Sequence, residues 1–169
     1  MTTSNAPSLI LRRMTPDDQA AANALTVAKE QMPFVEPMPL ALNTTDLQRD
    51  NFVMESNAEI VGFFQIDTQA PAYIAQPMLE LCQVVVDHKH QGRGLGRQFI
   101  RLLPALLKQQ YPNAPGIVLT VNCRNKMAHH VYAASGFHDT GELYNGGPSG
   151  PQHIMTMTFD RISSDPVVT

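Results

Sequence analysis

Leu79-Glu80-Leu81-Cys82-Gln83-Val84-Val85-Val86, then Asp87-His88-Lys89-His90, then Gln91-Gly92-Arg93-Gly94-Leu95-Gly96, is the stretch on which the fold turns. Its first eight residues are largely apolar and end in three valines, which suits a mostly buried strand. Asp87–His90 breaks that run, and Leu95 opens a long apolar repeat at helical spacing. A strand, a glycine-rich turn and a helix start make an anion site. The first amides of a helix lack partners, and the peptide dipoles add roughly half a positive charge there. Glycine lets the backbone approach a phosphate and adopt dihedrals that side chains resist. The ligand class implied is a phosphate or pyrophosphate; the plain alternative is an ordinary glycine-bearing β–α turn. The turn lacks the Gly-Lys-Ser/Thr ending of a nucleotide-triphosphate loop. Its glycines also miss the G-x-G-x-x-G spacing of a dinucleotide fold.

Outward from that stretch, 169 residues and 18.6 kDa predict one domain, over residues 8–161, with loose ends at 1–7 and 162–169. A net charge of −3 and a pI near 6.0 argue against a general nucleic-acid binder. No apolar run is long enough to span a bilayer and no leader pattern is evident, so a cytoplasmic protein without a membrane partner is expected. Cys82 and Cys123 read as buried thiols in strands. His88, His90, His129 and His130 read as solvated turn or helix-surface residues. No histidine–carboxylate set has zinc spacing, so no metal is expected.

Leu9–Arg13 reads as a first strand, and Thr15-Pro16-Asp17-Asp18 opens a helix expected to run toward Met32. The prolines of Met32–Pro39 predict a stiff apolar loop, either a connector or a wall of a binding pocket. Thr44 or Thr45 is placed to cap a short helix through Gln48. Phe52–Glu55 and Glu59–Thr68 read as a hairpin around Ser56-Asn57-Ala58. Its second arm is expected to be buried on both faces, with Ile60, Gly62, Phe64 and Ile66 sharing one. In the helix from Leu95, Phe99, Leu102, Leu103, Leu106 and Leu107 form the predicted buried stripe, and Pro104 predicts a kink rather than a stop. Ile117–Val121 reads as a strand. A helix from Lys126 to about Ser135 is ended by Gly136. Phe137–Tyr144 and His153–Asp160 read as the last pair of strands.

Gln91, Gly94 and Gly96 fit Gln/Arg-x-x-Gly-x-Gly/Ala, and downstream stands Asn125-Lys126-Met127-Ala128-His129-His130-Val131-Tyr132-Ala133-Ala134-Ser135-Gly136-Phe137. The pair resembles motifs A and B of the GNAT acetyltransferases, and the order of strands and helices matches over roughly Leu9–Asp160. The resemblance implies a twisted mixed α/β sheet of six to seven strands with helices on both faces. It implies that the strand Leu79–Val86 splays from Ile117–Val121 to form a cleft for acetyl-CoA.

The pantetheine arm would lie along Val84, Val85 and Val86 as an added strand. The pyrophosphate would sit on the amides around Gln91, Gly92, Arg93, Gly94, Leu95 and Gly96, with Arg97 near. In this chemistry the acceptor amine loses a proton and the departing thiolate benefits from one. Tyr132 is the candidate acid, with a core tyrosine as the alternative. Glu80 is the candidate base, or else an exposed or salt-bridged strand start. Alternation along an extended strand would put it on one face with Cys82, Val84 and Val86. Asn125 suits contact with the cofactor arm, support of the tyrosine, or a helix cap.

Phe34-Val35-Glu36-Pro37 and Thr140-Gly141-Glu142 are faintly similar to bacterial polyamine or diamine acetyltransferases, which makes Phe34 and Glu36 candidate acceptor contacts. The implied reaction is N-acetylation of a small-molecule amine. A protein or peptide acceptor and a non-catalytic CoA sensor are the alternatives, and a homodimer stays open.

Overall fold

The computed structural model describes residues 8–34, 38 and 48–159. Seven strands form one sheet: β1 (Leu9–Arg13), β2 (Arg49–Ser56), β3 (Glu59–Asp67), β4 (Leu79–Val86), β5 (Gly116–Asn122), β6 (His138–Tyr144) and β7 (Gln152–Thr158). Their spatial order is β1-β2-β3-β4-β5-β7-β6. Every neighbouring pair is antiparallel except β4 and β5. The helices are α1 (Gln19–Asn23), α2 (Leu95–Gln110) and α3 (Lys126–Ala134).

Helices cover both faces. The larger core packs Leu95, Phe99, Ile100, Leu103 and Leu107 of α2 against Phe52, Phe64, Leu79, Leu81, Ile117 and Leu119. Phe64 lies between Phe52 and Phe99, with ring centroids 5.0 and 4.9 Å apart. On the other face Ala22, Leu25 and Met38 pack on Phe63 and Val85. The central strand β3 is therefore buried on both sides, as its composition predicts. In α2 the buried stripe takes Ile100 where the spacing suggests Leu102, which is 38% exposed. Residues 95, 99, 100, 103 and 107 follow the 3.6-residue period more closely. The helix continues through Pro104.

Three local expectations are corrected. The first helix is short. A 3-10 turn at Pro16–Asp18 leads into α1, which ends at Asn23, and a second 3-10 turn spans Lys29–Phe34. Between them Thr26 accepts from His88 N–H at 2.6 Å and donates to the Asp87 carboxylate, so the chain leaves the helix to bond with the turn after β4. Met38 is helical and buried where the prolines predict a loop. The expected Thr44–Thr45 cap lies outside the described residues. Finally, Val61 has no partner in β2, since Met54 faces Gly62 and Glu55 faces Ile60. This bulge switches the sides, so Val61 joins Phe64 and Ile66 while Ile60 joins Phe63.

The β2–β3 hairpin closes through Asn57 and Ala58 at φ 51° and 62°. A two-residue turn with both residues left-handed suits the twist of the strands, but alanine resists that region where asparagine tolerates it. Ala58→Gly is expected to stabilise the fold by about 1 kcal/mol, raising Tm by roughly 2–4 °C in thermal unfolding.

Candidate functional site

The site starts from a break in the sheet. Parallel pairing of β4 with β5 ends at Leu81 opposite Leu119. Beyond it β4 stays with β3, up to Val86 opposite Gly62, while β5 stays with β7, up to Asn122 opposite Gln152. The two strands thus part at their C-terminal ends and leave one edge of Gln83–Val86 unpaired by β5. At the point of parting Cys82 is an extra residue: Gln65 faces Gln83, and Ile66 faces Leu81. This bulge corrects the expected alternation. Leu79 and Leu81 before it, and Val84 and Val86 after it, all face the larger core. Glu80 instead faces the opposite side, its carboxylate grouped with those of Asp67 and the Cys82 thiol.

After β4 the chain makes a 3-10 turn at His88–His90 and then the glycine bend. Gly92 and Gly94 have φ of +78° and +76°, so side chains are excluded there by conformation. A Cβ added at Gly92, Gly94 or Gly96 would meet nothing of the chain within 4 Å, so the bend faces open space. No side chain caps α2, whose first backbone bond runs from Gln98 N–H to Gly94 C=O. The amides of Leu95, Gly96 and Arg97 precede that bond and have no helical acceptor. Arg93 and Arg97 are exposed beside them. Gln91 holds the bend against the strand end, its side-chain amide donating to Val86 C=O at 3.0 Å and to Gln31 at 2.8 Å.

Glu80 sits one residue before the pairing ends and accepts from Tyr73 Oη at 2.5 Å. Its half-buried carboxyl has a raised pKa. Loss of water is the main cause, the Tyr73 bond opposes it, and the Asp67 charge adds to it. Tyr73 itself is held far above an ordinary phenol by burial and by its bond to Glu80. Tyr73 and Tyr144 pack at 5.0 Å beside Met78, Val118 and Ile154, an apolar wall around the carboxylate. Nothing in the loop Gln69–Pro77 marked Tyr73 as a partner of Glu80; its one signal is an aromatic residue a few positions before the strand. Burial and the neighbouring charge of Glu80 push the Cys82 thiol up to about 12, so it stays protonated.

Tyr132 lies on α3 against the larger core, edge-on to Phe137 at 5.4 Å. Its hydroxyl has no hydrogen-bond partner among the described residues, and burial pushes its pKa up to about 12. Tyr132 and Glu80 therefore lie on opposite faces of the sheet. Asn125 caps α3, its side chain accepting from Ala128 N–H at 3.3 Å. His129 is not a free surface group: its Nε2 lies 2.8 Å from the Asp139 carboxylate. His90 is likewise half-buried, 3.4 Å from Glu59, and Cys123 falls just beyond β5.

The 3-10 turn Lys29–Phe34 and the loop between β6 and β7 meet. Ser149, in the loop between β6 and β7, donates to Pro33 C=O at 3.0 Å. Arg124 lies over the Phe34 ring at 5.6 Å and donates to Ser149 C=O at 2.9 Å. Phe34 thus belongs to a bridge between these two segments, and Glu36 lies outside the described residues.

The profile of the acetyltransferase (GNAT) family matches residues 21–137. The chain belongs to that family and is an acetyl-CoA-dependent N-acetyltransferase. It is 27% identical over 150 residues to the uncharacterized N-acetyltransferase YbbJ of Bacillus subtilis, covering 88% of each chain. Among solved structures, it resembles spermidine N-acetyltransferase from Vibrio cholerae in complex with CoA and spermine. There the TM-score is 0.68 at 23% identity, covering 89% of this chain and 95% of that one. AAC(6')-Ib in complex with ribostamycin and coenzyme A gives 0.72 at 23% identity, covering 94% and 99%. No described helix is long and apolar enough to cross a membrane. The open glycine bend, the uncapped start of α2 and the unpaired edge of β4 fit a diphosphate followed by an amide-bearing arm.

Proposed function

We propose that the protein acetylates a primary amine of a small molecule by direct transfer from acetyl-CoA, with polyamines the first class to test. The observation that carries this reading is the raised, half-buried Glu80 carboxyl where β4 leaves β5, bonded to Tyr73 beside an apolar cluster. A base with a raised pKa is better matched to removing a proton from an ammonium ion than an ordinary carboxylate is. On this reading the segments joined by the Ser149–Pro33 bond line the acceptor approach, which would favour a slender acceptor over a folded protein. The neighbours' bound spermine and ribostamycin support the same class.

Bound acetyl-CoA supplies an acyl carbon activated as a thioester. Val84–Val86 align its arm by backbone bonds, and the amides of Gly92–Gly96 hold the diphosphate, with Arg93 and Arg97 adding charge. Asn125 acts by capping α3 and so fixing where Tyr132 stands. Glu80, directly or through a water, takes the ammonium proton. The free amine attacks the acyl carbon, the C–N bond forms and the C–S bond breaks. Tyr132 gives its proton to the departing sulfur and recovers one, through solvent, from the second proton the nitrogen sheds. The protonated Cys82 argues against a relay through an acyl-cysteine. Thiol release measured over a panel of polyamines, aminoglycosides and lysine peptides tests the reading. Release with small amines, and an acetylated amine by mass spectrometry, is expected. Release with peptides alone, or none while acetyl-CoA still binds, overturns it.

A further inference from the structure

No residue of α3 is fully buried, and Ala128, Val131 and Tyr132 make its apolar contact with the larger core. One polar cluster also joins it to the sheet. His129 on α3, Asp139 on β6 and His153 on β7 bring their ligand atoms to within 4.8 Å of one another. His129 Nε2 and His153 Nδ1 lie 2.8 and 3.4 Å from the same carboxylate oxygen, Asp139 Oδ2. The two rings are tilted by 49°, with centroids 4.5 Å apart.

Register explains the convergence. Asp139 faces Met155 across β6 and β7, and His153 is two residues from Met155, so all three share a side. Met155 is buried in the larger core, so that side is the one α3 covers. The strand is irregular after Asp139, and Gly141, at φ +80°, donates its N–H to Asp139 Oδ1 at 2.9 Å. That bond fixes the carboxylate so that its other oxygen points at the two imidazoles, the kind of outer support that ligating carboxylates receive in metal sites.

We infer that His129, Asp139 and His153 bind a divalent transition metal, zinc being the best match, which fastens α3 to the last two strands. Two imidazoles and one carboxylate are ligands zinc takes, and metal–ligand lengths of about 2.1 Å set ligand–ligand edges of roughly 3.4 Å in a tetrahedron. The His153–Asp139 edge already has that length at 3.4 Å, His129–Asp139 is shorter at 2.8 Å, and all three atoms lie within 4.8 Å of one another. All three side chains are half-buried, which leaves a fourth position to water. The spacing in sequence concealed this set because its members come from three separate elements. The fastened helix also carries Tyr132, one turn on from His129, yet the site stands apart from acetyl transfer and is tested without it.

The test is zinc titration by calorimetry on the chelator-treated full chain, with cobalt(II) absorption as a second readout. Parent protein is expected to take up one zinc ion per chain, with a higher Tm when loaded. His153→Gln and Asp139→Asn are each expected to weaken uptake at least tenfold, and His130→Gln, an exposed neighbour on α3, to leave it unchanged. Asp139→Asn keeps the shape and the bond to Gly141, so it separates loss of a ligand from loss of the fold. Absence of stoichiometric uptake by the parent, or uptake that survives both His153→Gln and Asp139→Asn, overturns the site.

Discussion

Replacing Glu80 by glutamine is expected to lower kcat about a hundredfold with the best amine, the lower end of what a positioned base contributes, or roughly 2.7 kcal/mol of barrier. Glutamine preserves shape and still accepts from Tyr73, so the loss isolates the proton acceptor from the packing. The pH profile gives a sharper reading. A base works when ionised, so kcat/KM rises with pH through its pKa. Burial has moved that pKa upward, so the rise falls above the ordinary carboxylate range. In the variant that limb disappears, and only the limb of the free amine remains. Stability moves the other way. A group whose folded pKa is raised costs stability wherever it is ionised, so the neutral variant should melt at or above the parent's Tm at neutral pH. An unchanged acid limb in the variant would remove Glu80 from the proton path.

Tyr132→Phe is expected to lower turnover at least tenfold while leaving affinity for CoA nearly unchanged. The hydroxyl has no hydrogen-bond partner among the described residues, so its removal breaks no bond that supports the fold. The ring keeps its edge contact with Phe137. Burial keeps the phenol protonated at working pH and also makes it a weaker acid, so its proton passes to sulfur only as negative charge builds there. The deficit should shrink when the donor's thiol is made more acidic, because a better leaving group needs less help. Stopped assays with a series of acetyl thioesters measure this. Equal turnover of parent and variant across the series would leave Tyr132 as a packing residue.

Much of the donor half could be read from residues alone. Glycines at a positive φ, a strand before them and an apolar-periodic helix after them are local features, and Gly92, Gly94 and α2 are where the pattern puts them. What failed was counting by twos. Val61 and Cys82 each add a residue to one strand, and every side chain downstream changes side. No residue type announces such a bulge; it comes from the pairing. The first helix stops short of its expected length for a related reason. Its alanines favour helix, but Thr26 finds better partners in Asp87 and His88, far along the chain. Tyr73 and the His129–Asp139–His153 group were invisible because each depends on elements brought together only by folding.

The unpaired residue in β4 also bears on how such a protein can change over generations. Gain of one codon after Cys82 would invert the remainder of the strand, turning Val85 away from Phe63 and Val84 and Val86 away from the main core, whereas loss of Cys82 would only remove the bulge and restore regular alternation. The strand has room to lose that one residue and none to gain another after it. The segments around Phe34 and Ser149 lie outside the sheet and answer to no such parity. Those two segments can therefore change length without turning any strand over, whereas β4 after Cys82 cannot gain a residue.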